Sequence, residues 1–334
     1  MRLVNFMPHG SAAAPKLGAV LDSAVLEIGL AWPWFLREHG DLHSAPPEDI
    51  PALLISPQFA WEDVRRVVDW FAREGLLPGQ GIPGSFLIDR GQVDLKAPIP
   101  HPASLRDFYA FEQHVSTARS IRGQEVPEEW YRFPVFYFSN TGAIYGPEEQ
   151  VPSPTYTQEL DFELEIACIL GKSARDVPPD EAGRLIAGYT ILNDWSARDI
   201  QRLETRVGLG PAKAKDFATS LGPFLVTPDE LAGRQTGRPG VFDLRMTASI
   251  NGDRVSTGNM QEIHFSFYEM ISRASQEVWL RPGDVIGSGT VGGGCLLEIT
   301  LGKGPWLQPG DRVDLEIERL GILSNRIMSR VLDR

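Results

Sequence analysis

The chain predicts an α+β fold, and three observations carry that reading. Strand-like runs dominate after residue 100. They are separated by hairpins and Pro/Gly turns, not by helices of constant length. Helical periodicity is confined to a few segments. A doubly wound parallel sheet would need a helix between successive strands, and that alternation is absent. With 334 residues, 42% apolar and 23% charged, the composition suits one large folded domain or two smaller ones.

Residues 1–95 read as a small N-terminal α+β domain. "MRLVNF" and "LGAVLDSAVLEI" predict short strands around turns. "SPQFAWEDVRRVVDWFAREG" predicts a helix, with Trp61, Val64, Val67, Val68 and Phe71 at helical spacing and Gly75 ending it. "VDLKAPIPHPASLRD", rich in proline and without periodicity, forms a junction into a second, larger domain of residues 96–334.

In that second part, "LRDFYAFEQHVSTARSIRG" predicts a helix or a loop leading into one. "FELEIACIL" predicts a strand, and Asp176–Ala187 a helix opened by prolines and acids. "YTILNDWSARDIQ" reads as a strand ending in a polar turn. "FDLRMTASINGDRVSTG" reads as a hairpin with a type I′ turn at Asn251-Gly252. "FSFYEMISRASQ" predicts a short helix. "RPGDVIGSGT", "CLLEITLG" and "LQPGDRVDLEIERLG" read as turn–strand units.

The net charge of −12 and the lack of any basic run argue against a nucleic-acid partner. No apolar run reaches membrane-spanning length, and the first residues lack the apolar core of a signal peptide, so the expectation is a cytoplasmic protein with no membrane partner. Cys168 and Cys295 sit singly in apolar runs, as buried free thiols do, and no zinc-type spacing occurs.

"LDFELEIACIL" raises the chemical question. On a strand, Glu163 and Glu165 share a face with Asp161, while Phe162, Leu164 and Ile166 turn to the other. A solvated polar face accounts for such a strand taken alone. Asp194, directly after an apolar strand, and Asp107, among aromatics, have no such solvent-facing context. Carboxylates gathered in a pocket repel one another unless a cation joins them, and hard oxygen donors without a Cys or His cluster favour Mg²⁺, Mn²⁺ or Ca²⁺. "GSGTVG" at Gly287–Gly292 matches G-x-G-x-x-G, but the segment after it reads as another strand where a dinucleotide site needs a helix. A tight turn and a close backbone approach to a ligand both remain open for it.

Taken together, "RDFYAFEQH", "FPVFYFSNTGAIYG", "LDFELEIA", "LNDWSARDIQ", "AKDFATSLGPF", "RPGDVIGSGT" and "LLEIT", in that order, resemble the fumarylacetoacetate hydrolase family over roughly residues 100–334. The resemblance implies a mixed β-sheet roll behind a small N-terminal domain, and a homodimer. It implies metal ligands Asp107, Glu163, Glu165 and Asp194, with Mg²⁺ preferred over Mn²⁺ or Ca²⁺. His114 would be the general base, oriented by Glu298. Lys215 and Thr219 would lie near the metal. Arg198 and Lys215 would act in catalysis, with Gln201 beside them. Tyr109, Tyr137, Gln201, Arg122 and Thr290 would contact an oxo-acid substrate. Two positions depart from the mammalian hydrolase: Thr205 stands nearest its substrate-contacting tyrosine, and Arg122 nearest its arginine. The implied activity is hydrolysis of a C–C bond in a fumarylacetoacetate- or acylpyruvate-like diketone. Decarboxylation, tautomerisation or dehydration of a 2-oxo acid is the alternative. In either reading Asp161 matches no ligand position, and it is expected at the solvent rim or behind the ligands.

Overall fold

A computed structural model describes residues 1–73 and 86–329. Its main feature is a long mixed sheet whose central strands run in the order Arg2–Pro8, Thr219–Val226, Ile186–Asp194, Leu164–Leu170, Val285–Gly287, Leu105–Phe108. These pairings are antiparallel except that Val285–Gly287 runs parallel to Leu105–Phe108. The N-terminal strands continue the same sheet, because Arg2 and Leu3 pair with Val226 and Leu225. A second sheet of five strands, built around the Arg245–Ile250 and Asp253–Asn259 hairpin, covers one face.

The Leu164–Leu170 strand explains the layering. All seven residues are buried. Leu164, Ile166, Cys168 and Leu170 point into the core shared with the second sheet, alongside Met246, Leu315 and Leu323. Ala167 and Ile169 point the other way, against Leu53, Val64, Val67 and Phe71 of the N-terminal helices. Each large apolar side chain so buried contributes roughly 1.5–3 kcal/mol. Glu165, the strand's second residue, lies on this second face and is fully buried.

The expected Asn251-Gly252 turn is present, with φ of 52° and 90°. The N-terminal helix spans Gln58–Arg73 and buries Val64, Val67, Val68 and Phe71, as its spacing predicts; Gly75 lies outside the described residues. The Phe267–Ser275 helix is opened by a capping box between Ser266 and Glu269. An unanticipated helix, Ile28–His39, accommodates Pro33 in its second turn.

Four readings are corrected. The 176–187 helix shrinks to Pro179–Ala182 plus a 3₁₀ turn, because Ile186 already belongs to the sheet. "LRDF" is a strand, with the helix starting only at Glu112. "SARDIQ" is not a turn: Ser196–Ala197 form a short strand and Arg198 opens an Arg198–Val207 helix. "CLLEITLG" is not a strand: Leu296–Ile299 forms a one-turn helix. Its first N–H groups, from Leu296 and Leu297, donate to the Asp161 carboxylate at 2.8 and 3.0 Å. A carboxylate from within the chain therefore caps this helix. Among the described residues no helix is long and apolar enough to cross a membrane.

Candidate active site

Four carboxylates meet at one end of the long sheet. Asp107 comes from the Leu105–Phe108 strand, Glu165 from Leu164–Leu170 and Asp194 from the end of Ile186–Asp194. Glu163 sits in the break just before its strand, where its N–H donates to Asn193 Oδ1 at 3.0 Å. Cross-strand register causes the meeting: Gly287 stands opposite both Asp107 and Ala167. A Cβ at Gly287 would fall 2.4 Å from Asp107 Oδ1, so glycine is what lets the carboxylate lie across that strand. One oxygen from each of the four acids lies within 4.8 Å of every other. None of the four residues is more than 4% exposed.

The glycine-rich turn serves these acids. Gly289 has φ +77°, and its N–H donates to Asp107 Oδ1 at 3.2 Å and Glu165 Oε2 at 3.1 Å. A Cβ there would lie 2.4 Å from the Phe108 carbonyl oxygen. Thr290 Oγ1 adds a longer bond of 3.4 Å to Glu165 Oε1.

The electrostatics are those of carboxylates forced together. Burial first, then the charge on Asp194, pushes the Asp107 carboxyl well above the usual range. Burial, with Asp107 and Glu163 adding, does the same to Glu165. Asp194 is pushed up to about 6 by burial, a rise that Lys215 opposes and Glu163 reinforces. Burial works against ionised Glu163 too, but Lys215 and Arg198 hold it well below the ordinary value. Lys215 Nζ lies 2.6 Å from Glu163 Oε2 and 2.5 Å from Asp194 Oδ2; burial works against its charge, and the two acids outweigh this. Tyr137 also donates to Asp194 Oδ2, at 2.5 Å. Asp194 Oδ1 is left buried with no hydrogen-bond partner among the described residues. An orphaned carboxylate oxygen within a set of four hard oxygen donors fits a divalent cation, and these residues could hold one.

His114, on the Glu112–Ile121 helix, places Nδ1 2.7 Å from Glu298 Oε2. Gly293 N–H fixes the other Glu298 oxygen at 3.1 Å, and Cys295 Sγ stands 3.4 Å from Oε2. Burial opposes ionisation of Glu298, but the His114 ring and these bonds hold its carboxyl below the ordinary value. Tyr109 packs edge-on to the imidazole, centroids 5.3 Å apart.

Of the two places expected for Asp161, the solvent rim and behind the ligands, the structure gives the second: the residue is fully buried. The short ladder Leu160–Asp161 with Ser196–Ala197 sets Arg198 beside it, and Arg198 Nε donates to Asp161 Oδ2 at 2.8 Å. Arg198 Nη1 donates to Gln201 Oε1 at 3.0 Å. Its Nη2 is 2.8 Å from Glu163 Oε1 but too poorly aligned for a hydrogen bond. Asp161 therefore links the Glu298 helix to the Glu163 carboxylate through one arginine.

Asp107, Glu163, Glu165, His114, Lys215 and Arg198 border a common cavity of about 250 Å³. Tyr109, Tyr137, Gln201, Arg122, Thr290 and Thr205 line it as well. Thr219 does not: it pairs with Asp194 across the strands, and its hydroxyl meets Ser139. The Gly289 N–H was not anticipated as part of the site, and the Asp161 carboxylate was expected behind the ligands only as one of two alternatives. A backbone donor leaves no side-chain signature, and Asp161 reads like its exposed counterparts elsewhere.

The model of the fumarylacetoacetate hydrolase C-terminal domain matches residues 104–328, and the chain belongs to that family. Its members include enzymes named as tautomerases, hydrolases and isomerases. The human mitochondrial oxaloacetate tautomerase FAHD2A is 33% identical over 243 residues, 72% of each chain. The oxaloacetate tautomerase YisK of Bacillus subtilis is 30% identical over 251 residues, 73% of this chain and 76% of its own. A maleylpyruvate hydrolase from Sphingobium, solved with manganese and pyruvate, shares the fold at a TM-score of 0.66 and 23% identity, covering 99% of this chain and all of its own.

Proposed function

We propose that the chain hydrolyses a C–C bond in a 1,3-diketone acid of the fumarylacetoacetate or acylpyruvate kind, with a divalent cation. The observation that carries this reading is His114, held by Glu298, on the same cavity as Asp107, Glu163 and Glu165, three of the four clustered carboxylates. Asp107, Glu163, Glu165 and Asp194 would hold the cation, with Mg²⁺ the expected ion. Once bound, it would supply Lewis-acid stabilisation of negative charge on the substrate's oxygens.

The protein groups do the rest. Glu298 fixes the His114 ring, and His114 takes a proton from water as the oxygen attacks a carbonyl carbon. The C–C bond then breaks, its electron pair leaves with one fragment, and that fragment recovers the proton from His114. Lys215, Arg198 and Gln201 steady substrate oxygens at the cavity wall, where Arg198 Nη2 still has a donor to give. Tyr109, Tyr137 and Thr290 shape the space around the substrate.

A second reading is tautomerisation of an oxaloacetate-like acid, favoured by the names of the human and Bacillus relatives. It needs only proton transfer between carbon and oxygen, which His114 performs without a water nucleophile.

The test is turnover of fumarylacetoacetate, acylpyruvates and oxaloacetate with Mg²⁺, Mn²⁺ or Ca²⁺ and with chelator. Hydrolysis yields two acids, whereas tautomerisation leaves the mass unchanged. Inactivity on every substrate with every cation would overturn both readings. The expected assembly is a homodimer, to be read by light scattering, and the expected compartment is the cytoplasm.

A further inference from the structure

A second group of metal-binding atoms adjoins the cavity and differs in kind from the four carboxylates. His114, Cys295 and Glu298 each offer one ligand atom, and these atoms all lie within 4.8 Å of one another. None of the three residues is more than 6% exposed. Cys295 directly precedes the Leu296–Ile299 helix and Glu298 is the third residue of that helix, so a single turn brings thiol and carboxylate together. The thiol donates to Glu298 Oε2 at 3.4 Å, and His114 Nδ1 meets the same oxygen at 2.7 Å. Of the three, only His114 lines the cavity, so an ion reaches the group past its ring.

The sulfur decides which ion suits the group. The four carboxylates offer hard oxygen alone, the donor set for Mg²⁺. A thiolate, an imidazole and a carboxylate together suit Zn²⁺. The spacing is close to what zinc needs. With Zn–S about 2.3 Å and Zn–O about 2.0–2.2 Å in a tetrahedron, sulfur and oxygen sit about 3.6 Å apart. In the apo group they are 3.4 Å apart. The imidazole must retreat from the carboxylate by about 0.7 Å to share the ion, and water takes the fourth position. Cys168, the other thiol of the chain, stands between Tyr189 and Ile286 on the neighbouring strands and belongs to no such group among the described residues.

We propose that His114, Cys295 and Glu298 form an inhibitory zinc site, separate from the four carboxylates. A ring nitrogen held by a carboxylate carries the proton, which leaves Nε2 of His114 as the accepting atom. Zn²⁺ takes Nδ1, the displaced proton moves to Nε2, and the Cys295 thiol gives its proton to solvent. Nε2 then has no lone pair with which to accept a proton from water. Zinc binding needs only the three side chains; the inhibition rests on His114 being the base, as in the proposed function.

Co²⁺ titration of the full chain in saturating Mg²⁺ tests the site without reference to activity, because a thiolate ligand gives cobalt an intense near-ultraviolet charge-transfer band and carboxylates do not. Wild type should develop the band, and Zn²⁺ should abolish it by displacing Co²⁺. Cys295→Ser should show none. His114→Ala keeps both thiols but should need more than about 100-fold more Co²⁺, since losing a group that only supports a ligand already costs about 10–100-fold. In the activity arm, Zn²⁺ added over saturating Mg²⁺ should lower turnover of the substrate found in the panel by about 10²–10⁴-fold, the contribution of a general base. EDTA followed by fresh Mg²⁺ should restore it, and Cys295→Ser should keep most of its own zinc-free rate when Zn²⁺ is added. A wild type without the band, a band that survives Cys295→Ser, or one that His114→Ala leaves at the same Co²⁺ concentration overturns the inference and leaves the proposed function standing. A band that forms while turnover continues unchanged overturns the inhibition and the role of His114 as base together.

Discussion

Arg198 Nε donates a 2.8 Å hydrogen bond to Asp161 Oδ2 in a pair with essentially no solvent contact. Breaking one side of such a pair strands the other charge in a low-dielectric interior, which costs about 3–5 kcal/mol. Asp161→Ala should therefore lower unfolding stability by about that amount. Asp161→Leu/Arg198→Met should recover part of it, because it removes both charges of the pair, and only part because Glu163 then keeps Lys215 alone as its cation. Urea denaturation checks this, and a double variant no more stable than the single would contradict it.

Glu298 fixes His114 at 2.7 Å. His114→Ala should reduce kcat by about 10²–10⁴-fold, the range for a general base. Binding of Mn²⁺, followed by calorimetry, should change little, because His114 is not among the four carboxylates. Undiminished turnover in steady-state assays would remove His114 from the mechanism.

Gly289 holds Asp107 and Glu165 in place through one N–H. Gly289→Ala meets both a positive φ and the Phe108 carbonyl, so the loop must shift. Affinity for Mn²⁺ should fall about 10–100-fold, as when a hydrogen bond to a metal ligand is lost. Calorimetric titration of wild type and variant reads the difference directly.

Arg65 grips Asp229 with two bonds of 2.9 Å, tying the Gln58–Arg73 helix to the turn after the Thr219–Val226 strand. Hydrogen bonding from Arg65 holds the Asp229 carboxyl below its ordinary value. A depressed folded-state pKa gives stability that is full above the unfolded pKa of about 3.9 and is lost as pH falls through the folded value. The gap in Tm between wild type and Arg65→Met should thus be widest near neutrality and close below about pH 4. Both side chains are nearly half exposed, so the gap should be small and should shrink in high salt. A gap that widens in acid would contradict the assignment.

The sequence by itself determined the acids and their neighbourhoods. Alternation in "FELEIACIL" separated Glu163 and Glu165 from Phe162, Leu164 and Ile166, and the structure buries those three apolar residues. The Asn251-Gly252 hairpin and the Gln58–Arg73 helix were legible for the same reason: turn chemistry and side-chain periodicity act over a few residues.

Tertiary structure decided what lies beyond that reach. Asp107 and Asp194 are 87 positions apart, and only sheet register brings them together. For Asp161 the sequence left the rim and a place behind the ligands both open, and a short ladder that sets Arg198 against it decided for the second. "LLEI" has the composition of a strand, yet it turns into a helix where that same carboxylate takes its first two N–H groups. Local pattern fixes which face a residue takes. Whether that face meets water, an arginine or three other carboxylates depends on chain segments that can be more than a hundred residues away.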